Sequence, residues 1–80
     1  MNAYNENRLK EGPWEEYHDN GNLWYKENYV NGKRHGLYEQ YYSTGKLSWR
    51  VNFVHGKKDG LSEWYIYGGD INLRHLEFFL

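Results

Sequence analysis

The chain has no cysteine, one proline, one methionine and a formal net charge of −1 over 80 residues. Without cysteine there is no disulfide framework and no thiolate metal cluster, and one reason to expect an oxidising compartment disappears. A cytoplasmic setting is the default expectation. With Lys+Arg 10 against Asp+Glu 11, the charge balance argues against an obligate polyanion binder and equally against an acidic nucleic-acid mimic. No apolar run approaches the length of a membrane span, and the opening MNAYNENRLKE has no apolar stretch of the signal-peptide kind. The chain is therefore expected to be neither transmembrane nor secreted by the usual signal. Hydrophobic content is 39%, low for an ordinary globule, and a chain of this length makes one small domain (1–80) with a thin core.

Aromatic residues and regularly placed glycines fill the gap. Nine Tyr, four Trp and three Phe supply large amphipathic contact areas, which suit a ring-covered sheet better than a Leu/Val-packed interior. Gly12, Gly36 and Gly60 fall 24 residues apart. Six columns between them keep their chemistry: glycine, glutamate (Glu15, Glu39, Glu63), tyrosine (Tyr17, Tyr41, Tyr65), a second glycine (Gly21, Gly45, Gly69), a branched aliphatic (Leu23, Leu47, Ile71) and a base (Lys26, Arg50, Arg74). Such a period signals an array in which each unit buries its apolar side against its neighbours.

Residues 46–53 (KLSWRVNF) alternate, placing Leu47, Trp49, Val51 and Phe53 on one face of a strand. Residues 22–29 alternate less cleanly, with Leu23, Tyr25 and Tyr29 on the apolar side, Glu27 among them and Trp24 opposite. The loops Asp19-Asn20-Gly21, Ser43-Thr44-Gly45 and Tyr67-Gly68-Gly69 share only the final glycine. A two-residue turn would demand positive φ at Thr44, so a three-residue loop ending on an αL glycine is expected. That loop sets Tyr42 opposite Lys46, Tyr41 opposite Leu47, Glu39 opposite Trp49 and Leu37 opposite Val51. One face of the second repeat is then Leu37, Tyr41, Leu47, Trp49, Val51 and Phe53 around Glu39; the first repeat contributes Pro13, Glu15, Tyr17, Leu23, Tyr25 and Tyr29. Glycine-bearing turns at 31–35 and 55–59 return the chain. The expected fold is all-β: a single-layer antiparallel meander of about six strands, built from three hairpin repeats at 12–35, 36–59 and 60–80. Residues 1–11 form an N-terminal segment or a worn repeat. The inter-repeat turns place Lys33, Arg34, His35, Lys57 and Lys58 on one edge, with Asp19 and Asp70 on the other.

The pattern G-x-W/Y-x-E-Y-x-x-x-G-x-L, followed by an aromatic strand and a Y/F-x-N/H-G-K-K/R-x-G turn, resembles the MORN repeat, and most closely its bacterial variant found in YwqK-type antitoxins. The likeness covers roughly residues 12–79. The third copy departs from it: Glu77 stands where Tyr29 and Phe53 do, the closing G-K-K turn is missing, and a bulge near His75-Leu76 would restore alternation as Leu76, Phe78 and Leu80. The resemblance implies a curved sheet used as a contact platform rather than a catalyst.

The residues themselves weigh against catalysis. Equivalent glutamates two strands apart lie about 9.5 Å from each other, too far for a retaining glycosidase pair; they are expected to accept hydrogen bonds from Tyr hydroxyls or Trp indoles. His18, His35, His55 and His75 show no metal-ligand spacing. Gly32 and Gly56 lack the strand-loop-helix setting of a phosphate loop, and no activated nucleophile stands out, so no enzyme activity, cofactor or metal is expected. Exposed rings on an uncovered sheet point to protein binding. The candidate contact residues are Trp14, Tyr17, Tyr25, Tyr29, Tyr41, Trp49, Phe53 and Tyr65. What the resemblance adds is the role of a small inhibitor or antitoxin, its partner a cognate toxin or, for a phage gene, a bacterial defence enzyme. The alternatives are anionic phospholipid or nucleic acid bound through Lys33, Arg34, Lys57 and Lys58, and a homo-oligomeric structural repeat protein.

Overall fold

The computed structural model of the chain describes residues 2–68 and 71–80, with Ile71 described by its backbone alone. Eight strands follow in order: β1 (Ala3–Tyr4), β2 (Lys10–Tyr17), β3 (Leu23–Val30), β4 (Lys33–Arg34), β5 (Gly36–Tyr41), β6 (Leu47–Val54), β7 (Lys57–Gly68) and β8 (Ile71–Phe79). They form one antiparallel sheet ordered β1-β2-β3-β5-β6-β7-β8, with β4 paired to β3 beside that path. The six long strands are the expected meander, and the Cα extents of 49 × 35 × 10 Å are those of a single layer. At the N-terminal edge, Tyr4 pairs with Lys10 as Tyr29 pairs with Arg34 and Phe53 with Lys58. The opening segment thus occupies the place of a preceding repeat's last strand.

Both kinds of turn owe their shape to residues that tolerate positive φ. His18 N–H donates to Asn22 O at 2.8 Å and Gly21 N–H to His18 O at 2.9 Å, while Tyr42 N–H donates to Lys46 O and Gly45 N–H to Tyr42 O, both at 2.9 Å. These are the three-residue loops expected from Thr44, closed by Gly21 at φ 91° and Gly45 at φ 93°. The inter-repeat turns carry two left-handed residues each, Asn31 (49°) with Gly32 (80°) and His55 (51°) with Gly56 (82°), the two-residue geometry that matches strand twist. Gly32 N–H donates to Lys10 O at 2.9 Å and Gly56 N–H to Arg34 O at 2.8 Å, so successive turns are tied together across the repeat.

Register departs from expectation one step beyond each loop. Tyr41 does pair with Leu47, but Gln40 pairs with Trp49, Glu39 with Arg50, Tyr38 with Val51 and Leu37 with Asn52. The first repeat does the same: Tyr17 pairs with Leu23, then Glu16 with Tyr25. Ser48 and Trp24 are the extra residues of β-bulges, and each bulge exchanges the faces of everything beyond it. The expected pairs Glu39–Trp49 and Leu37–Val51 are therefore wrong. Leu37 is exposed, and Tyr38 takes its place in the core. The alternation of 46–53 hid this because Leu47 and Trp49, two apart in sequence, straddle the bulge and point to opposite sides.

The third hairpin differs again. Its pairing runs without a break from Gly60–Phe79 to Gly68–Ile71, so Tyr67 and Gly68 belong to the strand and not to a loop. Gly69 and Asp70 lie outside the described residues. There is no bulge at His75-Leu76: Phe79 points to the side of the core, whereas Leu76 and Phe78 lie on the opposite side, exposed.

Gly45 has no close neighbour in the direction a Cβ would take, the nearest atom being Asn22 Nδ2 at 4.0 Å, so substitution there tests backbone strain alone. Gly45→Ala is expected to lower stability by about 1–2 kcal/mol, read from the midpoint of urea denaturation at unchanged slope.

Candidate functional site

The two bulges sort the side chains into two unlike faces. On one, Trp14, Tyr29, Tyr38, Val51 and Phe53 are buried, with Val51 wholly inaccessible at 0%. Rings run across this face from strand to strand. Tyr25 stacks on Tyr38 (centroids 6.1 Å apart), Tyr38 meets Trp49 at 4.9 Å, Trp49 lies parallel to Trp64 at 5.5 Å and Trp64 meets His75 at 5.5 Å. Trp49 Nε1–H donates to the Oγ of the fully buried Ser62 at 2.8 Å. A second row, Tyr4–Trp14–Tyr29, packs edge to face at 5.4 and 5.8 Å.

Three cations spaced by the same 24 residues lie over these rings. Lys10 Nζ sits 4.7 Å from the Trp14 centroid and 5.0 Å from Tyr29; the Arg34 guanidinium lies 5.8 Å from Tyr38 and 5.6 Å from Phe53; Lys58 Nζ lies 5.1, 5.8 and 5.2 Å from Trp49, Trp64 and Phe79. Ring faces attract cations, the more strongly where water is thinned. Arg34 also donates from Nε to Glu27 Oε1 at 2.6 Å, and Tyr29 Oη–H donates to Glu27 Oε2 at 2.9 Å. The Glu27 carboxylate is thus buried, 5% exposed, with a cation and a hydroxyl as partners. Burial, and then the hydrogen bond to Glu27, push the Tyr29 phenol up to about 12. In the second repeat Val51 stands in the place of Glu27. Among the described residues Lys58, like Lys10, is held by rings without a carboxylate.

The opposite face is a ladder of alternating charge. Glu15 pairs with Lys26, Lys26 with Glu39, Glu39 with Arg50 and Arg50 with Glu63, so the glutamate and base columns of the repeat oppose each other across five strands. Arg50 Nη2 donates to Glu63 Oε1 at 2.8 Å, and Lys26 Nζ lies 4.0 Å from Glu39 Oε1. The Tyr65 hydroxyl donates to Glu63 and the Tyr17 hydroxyl, at 3.4 Å, to Glu15, as expected for structural glutamates. The hydrogen bond from Tyr65, and then the one from Arg50, hold Glu63 below the ordinary carboxylate range.

This geometry places the bulged hairpins at residues 10–31 and 34–55, and the family described as MORN repeat variant matches at those two segments, more than half of the chain. The chain belongs to the MORN repeat variant family. Repeats of this family mediate contacts with proteins or membrane lipids. No curated protein and no solved structure matches the chain.

The candidate contact residues of this MORN chain do not share a surface. Trp14, Tyr25, Tyr29, Trp49 and Phe53 lie on the aromatic face, where Trp14, Tyr29 and Phe53 are already buried; Tyr17, Tyr41 and Tyr65 lie on the ladder face. Among the four expected anion ligands, Arg34 and Lys58 reach over rings, whereas Lys33 and Lys57 stay exposed beside the turns, paired with Val30 and Val54. Sequence reasoning missed Tyr38, Trp64 and Lys10. Two of these carried a signal: Lys10, Arg34 and Lys58 each precede a repeat glycine by two residues, and Tyr38 shares its column with Trp14. Trp64 had none, its column being Glu16, Gln40 and Trp64.

The buried Tyr29–Glu27 pair predicts alkaline sensitivity. The folded phenol keeps its proton to about 12, against 10.0 for an ordinary tyrosine, so its contribution to stability is complete below pH 10 and is lost as the pH rises from there through 12. Ultraviolet titration of tyrosinate should show a late step near 12 that Tyr29→Phe removes and Glu27→Gln moves to lower pH.

Proposed function

We propose that this chain is a non-enzymatic, cytoplasmic protein-binding module that docks a partner protein on its aromatic face. The observation that carries this reading is the row Tyr25–Tyr38–Trp49–Trp64, which crosses four strands of a sheet 10 Å thick. Its outer rings Tyr25, Trp49 and Trp64 are half-buried, and no second layer covers them among the described residues. Tyr and Trp anchors concentrate binding energy at protein interfaces, whereas the cations over the rings supply orientation and a positive rim. The likeness to antitoxin-type repeats supports the narrower role of a small inhibitor that neutralises a toxin or a defence enzyme.

A second reading, anionic phospholipid at the membrane surface, is favoured by one specific feature. A cleft of about 570 Å³ at the β1–β2 edge is lined by Arg8, Lys10, Lys33 and Arg34 together with Tyr4 and Tyr29. Four cations facing one hollow would attract a phosphate-bearing headgroup.

The two readings separate experimentally. Trp64→Ala is expected to weaken partner capture from host lysate about thirtyfold, the effect of a hot spot of about 2 kcal/mol, while Tyr65→Phe on the ladder face leaves capture unchanged and circular dichroism shows both variants folded. The inhibitor role requires further that the captured protein be toxic when expressed alone and harmless when co-expressed with this chain. Binding to anionic vesicles in a flotation assay that survives Trp64→Ala and is lost in Lys10→Glu/Lys33→Glu would replace the aromatic face by the cleft.

A further inference from the structure

The two long edges of the sheet are built differently. At the first, β1 is only two residues long, and beyond it Asn2 closes the ladder. Its Nδ2 donates to Glu15 O at 3.1 Å and its Oδ1 accepts from Glu15 N–H at 2.8 Å, as a paired strand would. At the other edge, β8 runs nine residues without lysine, proline or bulge. Its outer side pairs with no strand among the described residues, and Leu73 (58%), Leu76 (44%) and Phe78 (69%) are exposed. Sheet edges are ordinarily blunted by short length, proline, bulges or charge; of these β8 has only the charges of Arg74 and Glu77.

From this edge we infer that a second copy of the chain pairs with it: β8 joins β8 of another molecule antiparallel, about a two-fold axis normal to the sheet and passing through Leu76. Such an axis exchanges the strands and keeps each aromatic face on the same side, so opposed residues share a face. The register follows from charge. Centred on Leu76, the pairing sets Leu76 against Leu76 of the second copy, His75 against its Glu77, Arg74 against its Phe78 and Leu73 against its Phe79. Every contact is apolar, cation on ring, or imidazole on carboxylate, and each occurs twice except Leu76–Leu76, which lies on the axis. Centred on Arg74 or Glu77, two like charges meet on the axis. Centred on His75, two imidazoles meet there, Glu77 faces Leu73 and Arg74 faces Leu76. Among these four central registers, only the one on Leu76 makes the strand its own complement. The dimer it forms presents one uninterrupted aromatic face twice the width of a single chain, and this holds whatever partner that face binds.

The chain contains no cysteine, which makes the register directly readable. Leu76→Cys places two thiols opposite each other on the axis, so mild oxidation or a short bis-maleimide should yield a covalent dimer of nearly all the protein. His75→Cys, two strand positions off register from its own copy, should crosslink at least tenfold more slowly. Sedimentation of the wild-type chain should give twice the mass of one copy. Leu76→Lys, which sets two ammonium groups against each other at an exposed position, should raise the dimer dissociation constant about tenfold or more with an unchanged circular dichroism spectrum. A wild-type chain that remains monomeric at high concentration leaves the edge to a strand of another protein and overturns the inference. So does efficient crosslinking at position 75 in place of 76, or an oligomer indifferent to Leu76→Lys.

Discussion

A sheet one layer thick has no second layer to bury itself against, and every other feature of this molecule answers that constraint. Most domains sandwich their apolar side chains between two layers. Here each face must exclude water with its own side chains, and large rings do this where Leu and Val could not. A ring lying along the sheet covers its neighbours as well as itself, which is how Val51 becomes inaccessible beneath Tyr38, Trp49 and Phe53. The cations of the 24-residue period complete the cover. Their charged ends lie over the rings, and the Arg34 guanidinium also reaches the buried Glu27, so Lys10, Arg34 and Lys58 act as the layer the sheet lacks.

The ladder face solves the same problem with polar groups. Five alternating charges, Glu15, Lys26, Glu39, Arg50 and Glu63, lie opposite one another across successive strands, and tyrosine hydroxyls fill remaining acceptor positions on Glu15 and Glu63. Exposed ion pairs contribute little one at a time. In a row, each of the inner charges Lys26, Glu39 and Arg50 has an opposite neighbour on either side and no charge has a like neighbour adjacent, so the row also penalises a slipped register. The columns most regular in the sequence are thus those that hold the sheet in register, while the half-buried rings Tyr25, Trp49 and Trp64 sit in less regular columns on the other side.

The link between the two faces is the bulge. Without the extra residue at Trp24 and Ser48, Leu23 and Tyr25 would share a face, as would Leu47 and Trp49, and the glutamates would fall among the rings. With it, the tip of each hairpin belongs to the ladder face while its body carries the rings. The third hairpin has no such bulge and its register is offset from the first two. Apolar residues accordingly appear on both sides of β8, which is the strand left at the open edge.

Local chemistry was sufficient for much of this. The spacing of Gly12, Gly36 and Gly60 determined the array. Thr44 ahead of Gly45 determined a three-residue loop, because a β-branched residue resists positive φ and glycine does not. The composition determined that rings would replace an aliphatic core, and the Asn31-Gly32 and His55-Gly56 pairs marked the returns. Only the tertiary structure decided which residues share a face. A bulge depends on how two strands twist against each other and leaves no mark in the alternation of either; once present, it reverses every residue beyond it, so Tyr38 is buried where Leu37 was expected and Tyr41 parts from Trp49. The sequence likewise showed that Arg34 and Lys58 were basic, but not that they lie over rings. A flexible stem can send its charge to solvent or across the sheet, and the ring beneath it comes from a different strand, placed there by pairing alone.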